Sequence, residues 1–338
     1  MLRKGKKIVQ RRTSINPIAS NEVTMTLSQA FDFVYSQKQS EGLREKTLHG
    51  YKVLYPYFTK WIGETYPEVT CINQVTSELV RNYINYLRFD KVNQKTGELG
   101  LSPYSINVKI RMLKSFFNVL HREEIIERNP ITGIKLLKVD EDVFQPLTNE
   151  EIKRLLSTPN VEYYAQFRDL VAMYLMLDTG IRSSELFAMK ISYVDFKSRC
   201  IILSGTVTKN RKPRVLPLSN QVLRLVMELI QEVKTNFDTE YLFVSNFGER
   251  YMPNSFRKRL HNYKTLAGID KRLSPHSLRH QFCRDYIMNG GDVFSLQRIA
   301  GHSDIQTTRK YIQFTTEDIQ RKHTEFSPIA RLRGKYRK

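Results

Sequence analysis

Apolar residues return at helical spacing along most of this chain. Leu27, Ala30, Phe31 and Val34 share one face of a helix starting at about Thr26. Over residues 43–62, Leu48, Tyr51, Tyr55, Phe58 and Trp61 keep i, i+3, i+4 spacing, with Leu54 beside them. Pro56 sits inside that run and predicts a kink or break near Leu54, because proline lacks an amide donor and crowds the preceding turn. Thr76 offers an N-cap for a third helix striped by Leu79, Val80, Tyr83, Ile84 and Leu87. The polar stretch 90–100 predicts a loop. Ser102 and Pro103 then open a fourth helix, with Ile106, Ile110, Leu113, Phe117 and Leu120 inward, and Asn129-Pro130 closes the unit. Four helices with short polar connections predict a compact helical domain. Its aromatic residues (Tyr51, Tyr55, Phe58, Trp61, Tyr83, Phe116 and Phe117) sit at helical spacing, which predicts core rather than a base-stacking platform.

The pattern lapses over residues 134–147, where Pro146 and the lack of a stripe predict a linker. Thr148, followed by Asn149, Glu150 and Glu151, caps a new helix with acids in its first turn, where the helix dipole favours them. Residues 167–177 are mostly apolar, too hydrophobic all round to be exposed, and predict a buried helix. Over 199–218 the period changes. R-C-I-I-L-S and R-V-L-P-L predict two short strands joined by a basic turn at 208–213. Helices resume at about 220–235 and again after Pro253. Tyr241-Leu-Phe-Val between them fits either a third short strand or a buried connector. No repeat of 20–50 residues stands out. The fold class is therefore mainly α with a small antiparallel β-sheet (α+β), and 338 residues suggest two domains.

Composition narrows the function. No apolar run is long enough for a transmembrane helix, and the basic N-terminus lacks the apolar core of a secretory signal. Cys71, Cys200 and Cys283 are odd in number and widely spaced, which fits a reducing, cytoplasmic location better than a disulfide framework or a zinc site. The net charge is +20, and both ends are enriched: residues 1–20 hold six Lys/Arg and no acid, residues 321–338 seven against one Glu. Such an excess points to a polyanion, most often nucleic acid.

Candidate chemistry concentrates in residues 276–311, which hold three of the seven histidines. Across 178–311 the chain supplies Arg182, Lys209, His276, Arg279, His302 and Tyr311. Two guanidiniums can clamp the non-bridging oxygens of a phosphodiester. A tyrosine can attack phosphorus if a neighbour takes its proton, and a Lys or His can protonate the departing oxygen. Phosphoryl transfer then needs no metal. A metal reading rests on His276 and His280 at i, i+4, but Arg279 beside them and the lack of a completing ligand set count against it. Taken singly, Arg182 fits a salt-bridge partner of Glu185, Tyr311 a core residue and Lys209 a solvated turn.

Four blocks change that balance. T-G-I-R-S-S-E-L (179–186), T-K-N-R-K-P-R-V-L-P-L (208–218), H-S-L-R-H-Q-F (276–282) and I-A-G-H-S-D-I-Q-T-T-R-K-Y (299–311) resemble, in order, the signature blocks of the tyrosine site-specific recombinases of the phage integrase family. The resemblance is strong over about 147–320 and architectural over 22–132. It implies a helical, SAM-like core-binding domain (23–133) and a mixed α/β catalytic domain (148–320) on either side of the linker (134–147), while Pro17 and few apolar anchors read as a flexible basic arm (1–22) and the charge excess as a basic C-terminal tail (321–338). It implies that Arg182 and Arg279 activate the scissile phosphate and that Tyr311 attacks it to give a 3′-phosphotyrosyl link. Lys209 would be the general acid, with Lys212 or Arg211 next if the turn is shifted. His276 would accept the tyrosine proton, His302 would hydrogen-bond a phosphate oxygen, and Glu185 and His280 would support the site. Ala300 and Ile181 depart from the commoner leucines without touching a charged group.

The implied partner is a double-stranded DNA recombination site, bound by a homotetramer, with no cofactor, metal, ATP or membrane. No G-x-x-x-x-G-K-[ST] occurs, and none is needed, since the phosphotyrosyl ester conserves the energy of the broken link. The alternatives are a type IB topoisomerase-like enzyme, which would only relax DNA, and an inactive DNA-binding regulator, against which the intact six-residue set counts.

Overall fold

The computed structural model describes residues 24–94, 96–139, 144–208, 210–302, 304 and 316–329. The arm 1–22, Lys209, Tyr311 and the C-terminal residues from 330 lie outside the described residues. The chain divides into two compact units, residues 1–141 and 142–338.

The first unit is helical: α1 (Leu27–Ser40), α2 (Glu45–Thr65), α3 (Ser77–Phe89) and α4 (Pro103–Arg122). Thr26 caps α1 in a capping box with Gln29, Thr76 caps α3 by accepting from the Leu79 amide, and Ser102 caps α4 ahead of Pro103. These side chains satisfy amides that the first turn of a helix leaves unbonded. Helix α4 packs against each of the other three. All seven aromatic residues of the stripe are buried. Their polar ends find partners: the Tyr55 hydroxyl donates to the Leu27 carbonyl (2.8 Å), and that of Tyr51 meets Ser115 Oγ (2.6 Å). The stretch 90–100 carries one short bridge, between Val92 and Leu99.

One expectation needs correction. Helix α2 runs unbroken through Pro56. Pro56 is exposed, while Tyr51, Tyr55 and Phe58 on either side are buried on the opposite face. The carbonyl that loses its amide partner therefore faces water, and the core contacts hold both halves in one helix.

The second unit comprises α5 (Asn149–Ser157), α6 (Tyr164–Thr179), α7 (Ser183–Leu186), β1 (Val194–Asp195), β2 (Cys200–Leu203), β3 (Arg214–Pro217), α8 (Asn220–Asn236), α9 (Pro253–Leu266), α10 (Pro275–Met288), α11 (Val293–Ala300) and α12 (Thr316–Phe326). Helix α6, buried along most of its length, packs against α5, α8 and α10. Its two buried charges are satisfied internally. Arg168 donates to the Val244 carbonyl (2.7 Å) and pairs with Asp169 (3.0 Å), which also accepts from the Tyr263 hydroxyl and pairs with Arg259.

The antiparallel sheet has the order β1-β2-β3, with Leu203 opposite Arg214 and Cys200 opposite Pro217. Its third strand is thus Val194–Asp195 rather than 241–244. The latter stretch is the buried connector: Leu242, Phe243 and Val244 are inaccessible, and Tyr241 and Val244 make only isolated bridges to Lys190 and Arg250. The ends of the expected linker are anchored, with Ile134 in the first core and Leu147 in the second. The expected boundary at 320/321 falls inside α12.

Because Pro56 occupies an exposed interior position of an unbroken helix, Pro56→Ala should stabilise the first unit by about 1–3 kcal/mol. Trp61, the sole tryptophan, lies in this unit and reports its urea midpoint by fluorescence. A lowered midpoint would show that the proline is required where it stands.

Candidate active site

Two helix ends build the site. Helix α6 stops at Thr179, and Gly180 caps it in the left-handed conformation (φ 61°). A Cβ at Gly180 would lie 2.3 Å from the Phe282 ring of α10. Glycine is required here twice over, by the turn and by the close approach of α10. Helix α11 stops at Ala300, and Gly301 caps it in the same conformation (φ 66°), where a Cβ would lie 2.7 Å from Nη1 of Arg214. Both ends present main-chain carbonyls that no further helical turn can bond.

Two arginines take them up. Arg279, on the buried face of α10, donates through Nη1 to the Gly180 carbonyl (2.5 Å) and through Nη2 to that of Ala300 (2.8 Å). Arg182, just before α7, donates through Nη2 to the Gly301 carbonyl (2.8 Å). Residues about 100 positions apart in sequence thus converge on the turn at 300–302. Arg279 is almost wholly covered, whereas the Arg182 side chain keeps 22% of its surface open.

Glu185 sits beneath them, fully buried. Arg214, the inward-facing first residue of β3, grips it with both ends of its fork, Nη1 to Oε1 at 3.0 Å and Nη2 to Oε2 at 2.5 Å. Arg182 adds one side-chain bond (3.2 Å) and its backbone amide (3.2 Å). Burial alone would raise the Glu185 pKa, but the Arg214 hydrogen bond and the charges of Arg214 and Arg182 outweigh it and hold the carboxyl below its usual range. Arg214 and Arg182 share this one carboxylate and Arg279 adds a third guanidinium nearby, so the cluster carries an excess of positive charge suited to an anion.

The histidines are kept neutral. His302 is buried, and burial together with the charges of Arg279, Arg182 and Arg214 pushes its pKa down to about 3. Its Nε2 lies 2.7 Å from Nη2 of Arg279. Arginine has no acceptor, so Nε2 accepts and the ring proton sits on Nδ1. His276, in the first turn of α10, is exposed at the surface; the surrounding protein, Arg279 and Arg182 hold its pKa below the ordinary value. His280 lies edge-on to His276 (ring centroids 4.6 Å apart) and tilted against Phe144 (5.0 Å), and its pKa is pushed down to about 4, first by burial and then by His276 and Arg279. Among the described residues, no group of three or more His, Cys, Asp or Glu is placed to hold a metal ion.

Of the residues singled out from sequence, Arg182, Glu185, Arg279 and His302 come together, and His276 and His280 flank them on α10. Lys209 and Tyr311 lie outside the described residues, although the stems of the Lys209 turn are described. Thr208 is buried and bonds the Lys212 carbonyl through its hydroxyl (2.8 Å), and Arg211 takes a positive φ of 57°. An open groove of about 790 Å³ runs beside this turn, with Lys212, Arg214, Arg298, Gly301 and His302 among its walls. Arg214 and the two capping glycines were not picked out from sequence. An arginine in the inward register of a strand, alternating with Leu216, was the available signal, since such a charge demands a buried acid.

With this geometry in hand, comparison with known proteins is informative. Residues 145–318 match the model of the phage integrase family, and residues 26–136 that of the phage integrase SAM-like domain. The chain is 26% identical to tyrosine recombinase XerD of Halalkalibacterium halodurans over 302 residues, 88% of this chain and 97% of that protein. It is 30% identical to XerD of Yersinia pestis over 223 residues, 64% and 74% of the two chains. The integrase of the transposon Tn1549, solved in complex with a circular intermediate DNA, shares the fold with a TM-score of 0.70 at 24% identity, over 89% of this chain and 99% of that one.

The depressed His302 pKa has a consequence for stability. Between pH 6.5 and about 3 the unfolded chain binds a proton at this ring that the folded chain refuses, so stability is retained above pH 6.5 and lost as pH falls. From pH 7 to pH 5 the loss should be up to about 2 kcal/mol for this one residue. His302→Asn should show a correspondingly shallower fall in urea unfolding followed by circular dichroism; equal slopes would refute the neutral buried ring.

Proposed function

This chain belongs to the phage integrase family and is a tyrosine recombinase, a site-specific DNA strand-transfer enzyme, and from that premise we propose how its own residues divide the work. The observation that carries the reading is the convergence of Arg182 and Arg279 on the turn at 300–302. Their excess positive charge, one carboxylate among three guanidiniums, suits a single phosphodiester.

In this reading Arg182 and Arg279 hold the non-bridging oxygens of the scissile phosphate, and His302 adds a hydrogen bond from its protonated Nδ1. Tyr311, nine residues beyond His302 in sequence, attacks phosphorus through its hydroxyl oxygen. The new P–O bond to tyrosine forms as the bond to the 5′-oxygen breaks, leaving a 3′-phosphotyrosyl link. His276, held neutral at pH 7, takes the tyrosine proton and returns it when the strand is rejoined. Lys209, in the turn between β2 and β3, gives its proton to the departing 5′-oxygen. Glu185 and His280 support these groups: Glu185 through the arginines, His280 by packing under His276. Charge stabilisation and positioning supply the acceleration, and the conserved ester makes ATP unnecessary.

The partner is a double-stranded DNA site, in line with the DNA carried by the Tn1549 integrase in its solved complex. The helical unit is the core-binding domain, residues 134–147 the linker, the residues from 148 to the end of α12 the catalytic domain, and the basic segments at the two ends of the chain further contacts to DNA or to a neighbouring subunit. Exchange between two duplexes cuts four strands, and one tyrosine per strand calls for four protomers. The three cysteines are free, in keeping with a reducing compartment such as the cytoplasm.

Two substitutions test the assignments on a nicked duplex carrying a site selected by this protein from a randomised pool. Tyr311→Phe should bind that duplex normally and form no covalent adduct; a persisting adduct would remove Tyr311 as the nucleophile. Lys209→Ala should slow cleavage by about 100-fold or more, and a 5′-thiol leaving group, which needs no proton, should restore it. Without that rescue, Lys209 is not the acid.

A further inference from the structure

A deeply placed charge near the site belongs to a residue that takes no part in the steps above. Arg214 alternates inward with Leu216 on β3, and 6% of its side-chain surface is open, against 22% for Arg182. Its fork takes both oxygens of Glu185, at 3.0 and 2.5 Å, whereas Arg182 reaches that carboxylate with a single side-chain nitrogen at 3.2 Å. The same guanidinium lies against Gly301, so closely that a Cβ there would collide with it. Gly301 is the residue whose carbonyl receives the other end of Arg182. Arg214 therefore touches both partners that fix the Arg182 side chain.

We propose that Arg214 is a positioning residue for strand cleavage: its fork occupies the Glu185 carboxylate, so that Arg182 keeps its positive charge available to the phosphate. The reasoning is one of competition. A buried carboxylate needs a cation. Were Arg214 absent, Arg182 would be the nearest cation left to it. The pair would close, Arg182 would turn from the Gly301 carbonyl, and its charge would be cancelled before DNA arrived. With Arg214 in place, Glu185 is satisfied by both ends of another fork and serves Arg182 only as an anchor. The depressed Glu185 pKa agrees, since the carboxylate stays charged and still needs its counter-ion at neutral pH. This proposal rests on the reading of Arg182 as a phosphate-binding group.

The test is single-turnover cleavage of the nicked, selected duplex, with protein in excess, at a temperature where circular dichroism shows each variant folded. Arg214→Met should cleave about 100-fold more slowly than the parent. Its affinity for the duplex should stay within about three-fold, because binding is spread over many phosphates. Adding Glu185→Gln removes the stranded negative charge and should bring cleavage back to within about ten-fold of the parent. A packing defect would not be repaired by a second change. Replacing the scissile phosphate by an uncharged methylphosphonate gives a second readout. If Arg214→Met fails through a neutralised Arg182, its deficit should shrink on that substrate; a structural defect would persist undiminished.

Should Arg214→Met not fold, the double variant, which buries no charge at the pair, stands alone: near-parental cleavage supports the proposal and loss of cleavage overturns it. Arg182→Ala separates the two levels. Normal cleavage by Arg182→Ala overturns the phosphate reading itself. A dead Arg182→Ala beside a fully active Arg214→Met, or a double variant no faster than Arg214→Met, overturns the positioning proposal alone.

Discussion

A fully buried carboxylate sets the terms for the second unit. Glu185 has no access to water, and an isolated buried charge costs far more than the fold could offset, so its surroundings must supply cations and donors. They come from separate places: the fork of Arg214 on β3, and the guanidinium and backbone amide of Arg182 at the start of α7. Through Gly301, which lies under Arg214 and accepts from Arg182, the end of α11 is drawn into the same network. Sheet, short helix and turn are thereby held in one arrangement by a single negative charge.

The arginines are placed by a second principle. Helix C-termini carry partial negative charge on carbonyls that have run out of amide partners. Helices α6 and α11 both end in left-handed glycines, and Arg279 bridges the two ends through the carbonyls of Gly180 and Ala300. Between them, the helix ends and Glu185 orient two guanidiniums without using up their charge. The neutral histidines follow first from burial and then from the same crowding of charge, which together keep a second proton off each ring at pH 7.

Much of this was legible in the chain, for different reasons in different places. The helices of the first unit announce themselves because their buried faces repeat over three or more turns, and capping residues such as Thr26, Thr76 and Ser102 mark their starts, as Thr148 does for α5. Pro56 misled because the penalty for proline depends on which face it occupies, and Pro56 stands on the wet one. Strand β1 was invisible because two residues carry no alternation, while 241–244 looked strand-like because it is apolar. The convergence of Arg182 and Arg279 left no trace in local periodicity; only the resemblance of ordered blocks pointed to it. Arg214 stood inside one of those blocks, yet its partner is 29 positions upstream and reaches it only through the fold. Lys209 and Tyr311 rest on the sequence motifs and family membership.

The carbonyl partners of Arg182 and Arg279 have a consequence for how this protein can change over time. A main-chain oxygen is the same whichever side chain its residue carries. The acceptors at Gly180, Ala300 and Gly301 are therefore inherited with the path of the backbone, and substitutions around them can accumulate without disturbing the guanidiniums. A departure such as Ala300 in place of the commoner leucine leaves the carbonyl that Arg279 uses unchanged. A substitution meets resistance where a Cβ would close the space itself, at the two glycines, and where a charge must be answered by its opposite.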